Sequence, residues 1–243
     1  MLDLKYDFKW EILFTEPYSR ILVDGIQFTL LIFVASSLAS LLLGTAISVF
    51  RVSRIRALQF AGDAYVKVVQ SIPVLFWMLF FYYLFPELLP GELGTTLNGY
   101  LYYPVAASIA ALTLDNASHV SDILKSGRLM IPQTQREAAI ATGLSRIQQY
   151  LYVLLPQMFR VTLPPLGTRM VHNFKNTTLC MAITAHELTW ATQQVESLSF
   201  RGTEAIIAAT VFYVGLSLIM ASAVILLERR LRIDPASIIR GRA

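Results

Sequence analysis

A group of polar residues recurs at helical spacing within an apolar part of the chain, and these side chains are suited to contact a polar solute. The group is Arg169, His172, Asn173 and Asn176, with Lys175 preceding the last of them. A helix places positions i, i+3, i+4 and i+7 on one face, whereas Lys175 lies about 120° from that face. Arginine holds a carboxylate through two parallel hydrogen bonds. One interpretation is that this face lines a path for an anionic solute.

The same residues also have a structural interpretation, because charged groups at membrane depth pair with one another. A separate apolar stretch of the chain ends with the polar residues Asp115, Asn116 and His119. Asp115 can neutralise Arg169 or Lys175 by forming an ion pair, and this pairing is the role we favour for Asp115. The histidines of the two stretches are too few and too scattered to predict a metal site. Solute contact and structural pairing both stay open for Arg169 and its neighbours.

The composition indicates which elements position these residues. The chain has 243 residues, 55% hydrophobic and 15% charged, and its mean hydropathy is +0.56. A soluble domain carries roughly 25% charged residues, and a membrane helix needs about 20 consecutive apolar residues. The apolar stretches predict an all-α integral membrane protein with five transmembrane helices, at about 21–50, 68–88, 100–121, 163–190 and 204–228. Alternating segments of a membrane barrel are absent from the sequence.

The distribution of positive charge predicts the orientation of these spans. Of the 20 lysines and arginines, 14 fall after the first, third and fifth spans, and four fall in the alternate segments. The positive-inside rule then places the N-terminus outside and the C-terminus in the cytoplasm. Residues 1–20 are predicted to form an external interfacial segment, with a disordered tail as the alternative. The transmembrane domain follows at 21–228, and 229–243 are predicted to form a cytoplasmic tail.

The longest predicted cytoplasmic connection, about 122–160, carries a distinct pattern. Glu137 suits the first turn of a helix, the alanines after it favour helix, and the chain from Glu137 to Leu155 is predicted to be helical. Apolar residues recur in it at spacings of three and four, at Leu144, Ile147 and Leu151. Such a helix can enter a groove on a partner protein. The alternative is a connector packed against the chain's own spans.

At this segment the sequence resembles a known family. Glu137-Ala138-Ala139, then Gly143, then Val153-Leu154-Leu155-Pro156 follow the spacing EAA-x3-G-x9-I-x-L-P. That spacing is the EAA signature of ABC importer permeases, and Val153 in place of isoleucine is the one departure from it. The match extends over 20 residues, which makes it far more specific than a tripeptide.

Other elements are similar to the polar amino-acid branch of this family. They are Leu22-Val23-Asp24-Gly25, Ser71-Ile72-Pro73, Phe174-Lys175-Asn176-Thr177-Thr178-Leu179, and the glutamate/aspartate-type loop Pro86-Glu87-Leu88-Leu89-Pro90. Gln70 stands where the family usually has arginine, and His119 where it usually has tyrosine. Asp122 and Lys125 replace a usual glutamate and arginine. The departures at Gln70 and His119 bear on the solute and not on the family.

The resemblance implies a type I ABC importer permease fold in the bacterial inner membrane. It implies that Glu137, Ala138, Ala139, Gly143 and Leu144 form a coupling helix that docks on an ATP-binding cassette ATPase. It further implies a second permease subunit, identical or homologous, and an external solute-binding protein. The solute predicted on these grounds is a polar amino acid, with glutamate or aspartate favoured. Glutamine, basic amino acids and opine-like solutes are the alternatives.

Other classes of protein explain the sequence less well. The chain has no G-x-x-x-x-G-K-[ST] phosphate-binding loop, so ATP and Mg²⁺ are expected on the partner ATPase, and no cofactor is expected on this chain. An intramembrane enzyme would have to use Asp115, His119 and Lys175, which no known catalytic spacing joins. A stand-alone channel or proton-coupled carrier leaves the EAA segment unexplained. We therefore expect a transport subunit and not an enzyme.

Overall fold

The computed structural model describes residues 6–145 and 148–230. Within these residues the chain is helical and contains no strand. The α-helices are α1 (Tyr18–Arg51), α2 (Arg56–Gln70), α3 (Val74–Leu79), α4 (Phe85–Glu87), α5 (Leu93–Asn98), α6 (Tyr103–Met130), α7 (Gln133–Ala141), α8 (Leu155–Asn176), α9 (Leu188–Ser199) and α10 (Gly202–Arg230). Two π-helical segments, Phe80–Leu84 and Gln149–Leu154, and two 3-10 helices, Trp10–Phe14 and Thr177–Ile183, connect or precede them.

Some of the described helices are long and apolar enough to cross a membrane. By length and composition α1 and α10 qualify alone, and α2 with Val74–Glu87 qualifies as a third span if that bent pair is counted as one. Leu42, Val211 and Ile219 on α1 and α10 expose 76%, 67% and 67% of their surface. Such side chains are expected to contact lipid, because the surface of a soluble protein rarely carries contiguous large apolar residues. The count of five spans stays a prediction.

The span predicted at about 68–88 is bent near its start. α2 starts at Arg56 and ends at Gln70, and α3 begins only after Pro73. The axes on the two sides of this break differ by 100°. Proline lacks a backbone N–H and disfavours helical geometry at the residue before it. The Ser71-Ile72-Pro73 element is therefore a corner between two helices.

The predicted span at about 163–190 also differs from the structure. α8 begins at Leu155 and ends at Asn176. The Thr177 and Thr178 hydroxyls then donate to the Phe174 and Lys175 carbonyls at 2.7 and 2.8 Å. Hydroxyl bonds of this kind compete with regular helix. The chain tightens into a 3-10 helix, turns at Thr184 with φ 58°, and starts a helix that the sequence did not predict.

The chain divides into two compact units, and the first comprises the residues up to Ser36, Pro73–Leu112 and Asn173–Ser217. One apolar cluster of this unit includes the buried side chains of Ile32, Met78 and Leu112. A second apolar cluster joins α1, α9 and α10. The N-terminal segment is held to α10, because Tyr6 Oη and the Lys9 backbone N–H donate to the Glu204 carboxylate at 2.7 and 2.9 Å. A position of that segment at the membrane interface stays a prediction, and residues 1–5 lie outside the described chain.

The second unit comprises Ser37–Ile72, Thr113–His172 and the residues from Leu218 onward. Ile47, Val66 and Ala117 form its buried apolar cluster, with Tyr65 packed against it. Tyr65 Oη also donates to the Leu114 carbonyl at 2.7 Å. Contacts among α1, α2 and α6 therefore hold this unit. The described part of α10 continues to Arg230, two residues into the predicted tail, and 231–243 lie outside the described chain.

Candidate functional site

The EAA segment forms a short helix with a defined start. Pro132, with φ −58° and ψ 140°, precedes α7, where its fixed geometry and missing N–H suit the first turn. Gln133 Nε2 donates to Glu137 Oε1 at 3.0 Å, one turn along the helix. This bond holds the Glu137 side chain along the helix surface, where both residues are exposed.

The predicted single helix from Glu137 to Leu155 is wrong, because the chain leaves helical geometry at Gly143. Gly143 has φ 75°, a left-handed conformation that glycine adopts without steric cost. Its N–H donates to the Ile140 carbonyl at 3.0 Å, and the Thr142 N–H donates to the Ala138 carbonyl at 3.1 Å. The glycine of the signature therefore terminates α7. Ile147, one member of the predicted apolar stripe, lies outside the described residues.

The helix α7 has two unlike sides. Ala139 is 4% exposed, whereas Ile140 is 56% exposed. Glu137, Ala138 and Ala141 are also exposed. The alanine side chains are small enough to let the backbone of a partner protein approach closely. Ile140 adds apolar surface, and burial of that surface against a partner would be favourable. A Cβ placed on Gly143 would meet no atom within 4 Å. Leu144 is half-buried, and its carbonyl accepts from Gln149 Nε2 at 2.7 Å.

The Arg169 side chain lies in a polar cluster with α6. Its Nη2 donates to Asp115 Oδ2 and its Nε to Asn116 Oδ1, each at 2.5 Å. The Arg169 and Asp115 side chains are 15% and 10% exposed. Asn116 Nδ2 donates to Ser40 Oγ on α1 at 2.6 Å, and His119 Nε2 is 3.9 Å from Asp115 Oδ1. The favoured pairing of Asp115 is present, and its partner is Arg169.

The remaining residues predicted for the solute path lie in different surroundings. His172 and Lys175 are exposed, and Asn176 ends α8 half-buried. Asn173 is fully buried, and its Nδ2 donates to Ser36 Oγ at 2.9 Å. Helical spacing places these residues as expected along α8, but it does not give them a common environment. Contact with solute stays a prediction for all five.

Sequence reasoning missed a second charged network in the second unit. Arg51, the last residue of α1, is 8% exposed and donates through Nε to Asp63 Oδ1 at 2.8 Å and through Nη1 to Asp122 Oδ1 at 2.7 Å. Lys125 Nζ contacts Asp63 Oδ1 at 2.8 Å. A Cβ on Gly62 would come within 2.6 Å of Arg51 Cγ, so glycine makes room for the arginine stem. The sequence held one indication of this network, because Asp63 is the one acid in the amphipathic helix α2 and would need a cationic partner if buried.

Two buried acids of the first unit were also missed. Glu187 accepts from the Thr189 and Trp190 N–H groups at 2.7 and 3.0 Å and caps the start of α9. Tyr213 Oη donates to Glu187 Oε2 at 2.9 Å. Glu187 and Glu204 are both fully buried, and their contacts are structural. Neither acid belongs to a recognised motif, so spacing alone could not have singled them out.

The chain belongs to the family described as the binding-protein-dependent transport system inner membrane component, which matches residues 36–233. Members of this family are permease subunits of ABC importers, so the predicted resemblance is confirmed. The all-α permease fold and the EAA segment as a family feature are confirmed with it. Its members transport and do not catalyse a reaction, which also confirms the assignment to a transport class.

Similar proteins cover nearly the whole chain. A probable glutamine ABC transporter permease protein GlnM of Bacillus subtilis is 29% identical over 209 residues, covering 86% of this chain and 92% of that protein. The glutamate/aspartate import permease protein GltK of Escherichia coli O6:H1 is 29% identical over 226 residues, covering 93% and 99%. A crystal structure of an amino acid ABC transporter with histidines matches with a TM-score of 0.79 at 23% identity, covering 93% of this chain and 100% of that one. This structural likeness shows the fold.

Proposed function

We propose that this chain is the permease subunit of an ATP-driven importer that carries a polar amino acid across the bacterial inner membrane. The observation that carries the proposal is α7, a short helix that ends at a left-handed glycine and exposes a face of small and apolar residues. In ABC importer permeases, such a segment docks on the ATPase subunit. A stand-alone channel or carrier has no ATPase partner, so a docking segment would have no role in it.

The ATPase contact is assigned to Glu137, Ala138, Ala139, Gly143 and Leu144. Ala138 and Gly143 supply exposed surface without bulk, and buried Ala139 holds α7 against its own chain. Leu144 is tied through its carbonyl to Gln149, so force on α7 can pass into the segment that leads to α8. ATP and Mg²⁺ belong to the partner, and this chain needs no cofactor of its own.

The solute is proposed to be glutamine, glutamate or aspartate. Relatives carrying these names are equally similar, at 29% identity. The argument for an acidic solute from Arg169 is weaker than the sequence suggested, because Asp115 and Asn116 already occupy its guanidinium. The exposed cationic and polar side chains of His172 and Lys175 remain the candidates for contact with a carboxylate.

The assembly is proposed to contain two permease subunits, two ATPases and an external solute-binding protein. ATP binding would close the ATPases and move the α7 segments as levers, opening the path to solute delivered from outside, and hydrolysis would reset them. Energy for import would therefore enter the chain at α7.

Uptake into proteoliposomes tests this function. The chain is reconstituted with its co-expressed ATPase, its second permease subunit and its binding protein, and labelled glutamine, glutamate, aspartate and arginine are offered separately. We expect ATP-dependent accumulation of glutamine or an acidic amino acid, and competition by the unlabelled form of the same solute. Equal uptake with and without ATP would contradict the importer, and uptake of arginine alone would contradict the solute class.

We propose that the N-terminus and the α4–α5 loop face outside and that α7 faces the cytoplasm. The one cysteine, Cys180, is buried, so single cysteines introduced elsewhere report accessibility to a membrane-impermeant maleimide. In cells that express the permease without the ATPase proposed to cover α7, Glu92→Cys, in the loop, is expected to react before permeabilisation and Ala141→Cys only after it. Both positions are exposed, which makes each the control for the other. The reverse labelling pattern would refute the orientation.

A further inference from the structure

A large cavity in the second unit has no role in the transport scheme. Its volume is about 1460 Å³, above the roughly 300–1,000 Å³ of common small-molecule pockets. The ends of α1 and α6, the start of α2, the helix α7 and the segment Gln149–Leu154 contribute to its walls. All of these lie within one compact unit, and the cavity therefore belongs to a single folded body.

The cavity wall carries an excess of positive charge. Arg51, Arg54, Lys125 and Arg128 line it together with one acid, Glu137. Arg51 and Lys125 already pair with Asp63 and Asp122. Within the described part of the chain, Arg54 and Arg128 form no ion pair, and both are exposed. Among the described residues, the four cations outnumber Glu137, Asp63 and Asp122 by one, so the wall is suited to an anionic group.

The remaining wall of the cavity is mixed, with apolar side chains beside the polar side chains of Gln59, Gln133, Thr134, Gln149 and Tyr150. Its apolar side chains are Val52, Leu129, Ile131, Ile140, Leu154 and Met158. Leu129 is 73% exposed and Ile140 is 56% exposed, so these surfaces gain from burial against another apolar group. A site that places Arg54 and Arg128 beside apolar side chains fits an amphiphile better than a small anion, because a small anion would contact only the arginines.

The position of the cavity indicates the kind of amphiphile. Arg51 is the last residue of α1, the first candidate membrane span, so the cationic part of the wall lies where that span ends. Basic pockets between helices on the cytoplasmic side of a membrane bind anionic lipid headgroups. We propose that this cavity binds an anionic phospholipid, with its phosphodiester between Arg54 and Arg128 and its apolar part against Leu129, Ile131 and Ile140.

Lipid binding here is compatible with an ATPase on the same helix. Glu137 and Ile140 of α7 line the cavity, whereas Ala138, Ala141 and Gly143 do not. The two sites would therefore meet at Glu137 and Ile140, and Ala138, Ala141 and Gly143 would remain available to the ATPase alone. The lipid proposal rests on the proposed membrane location and cytoplasmic orientation of this end of the chain, and it makes no assumption about the solute.

Lipid retention by the purified complex tests the proposal. The chain with its co-expressed partner subunits is exchanged into detergent, palmitoyl-oleoyl phosphatidylglycerol or phosphatidylcholine is added in equal amounts, and bound lipid is counted by native mass spectrometry. We expect preferential binding of phosphatidylglycerol that falls roughly tenfold or more in Arg54→Gln/Arg128→Gln. The matched pair Arg56→Gln/Arg160→Gln removes the same charge from exposed residues outside the cavity and should keep the preference. Arg54→Lys/Arg128→Lys should also keep it.

Competition distinguishes a lipid site from a simple anion site. Dihexanoyl phosphatidylglycerol is expected to displace the long-chain lipid, and glycerol 3-phosphate at the same concentration is not. Equal retention of phosphatidylglycerol by the wild type and Arg54→Gln/Arg128→Gln would overturn the proposal. Equal competition by glycerol 3-phosphate would also overturn it, and so would retention by the permease that is lost when the ATPase is bound.

Discussion

Gly143→Asp is expected to separate ATP hydrolysis from uptake. Gly143 ends α7 with φ 75° and has open space above its Cα, so a charged side chain there would project into any partner docked on this surface. A clash that weakens docking by about 1.4 kcal/mol raises the dissociation constant of the permease and the ATPase tenfold. We expect solute transported per ATP hydrolysed in proteoliposomes to fall by roughly that factor.

Gly91→Asp is the matched control for the change at Gly143. Gly91 also has a left-handed backbone, with φ 65°, and a Cβ there would also meet nothing within 4 Å. Both substitutions therefore impose a similar backbone cost, about 1–2 kcal/mol, and the same new charge. Gly91 lies in the α4–α5 loop and not in the docking segment, so its variant should keep the wild-type ratio. Equal losses in both variants would mean that the backbone, and not docking, explains the Gly143 effect.

Removal of Asp115 is expected to be the most destabilising single change in the polar cluster. Asp115→Leu leaves the largely buried Arg169 guanidinium without its carboxylate, and loss of one partner of a buried ion pair costs roughly 3–5 kcal/mol. Adding Arg169→Met removes the unpaired charge, so the double variant should be more stable than Asp115→Leu alone. Thermal unfolding in detergent of the wild type, Asp115→Leu, Arg169→Met alone and the double variant gives the coupling energy of the pair.

Transport by the double variant decides between the two interpretations of Arg169. If the pair is structural, Asp115→Leu/Arg169→Met should assemble and transport, although less well than the wild type. A stable double variant that binds the ATPase but transports no solute would instead assign Arg169 to the solute path. Arg160→Met, on the exposed part of the same helix, is the control, and its stability should change by about 0.5 kcal/mol or less.

Sequence patterns predicted the features that depend on local composition. Long apolar stretches gave α1 and α10, and the EAA spacing located the docking segment at α7. An ion pair of Asp115 with either Arg169 or Lys175 was predicted because a membrane interior leaves a buried charge few alternatives, and the structure shows Arg169 as the partner. These features follow from hydropathy, spacing and electrostatics that act within one segment or between two charges.

Breaks in the helices and the tertiary networks were not predicted. Gly143 and Pro73 interrupt apolar patterns that continue on both sides of them, so hydropathy alone extends a helix through each. Thr184 is left-handed although threonine disfavours that conformation, and its surroundings must therefore impose it. The contacts of Arg51 with Asp63 and Asp122 span 12 and 71 positions. Hydropathy and motif spacing do not specify these partners, because neither pattern relates a residue at the end of α1 to particular acids in α2 and α6.

Co-purification of an ATPase tests the central claim most directly. The tagged chain is extracted from its native membrane in several mild detergents, and the proteins recovered with it are identified by mass spectrometry. We expect an ATPase with a phosphate-binding loop in stoichiometric amount, with a second permease if the assembly is heteromeric, and a reduced amount with Gly143→Asp but not with Gly91→Asp. Recovery of the chain alone in every detergent would contradict the importer and favour a channel or carrier.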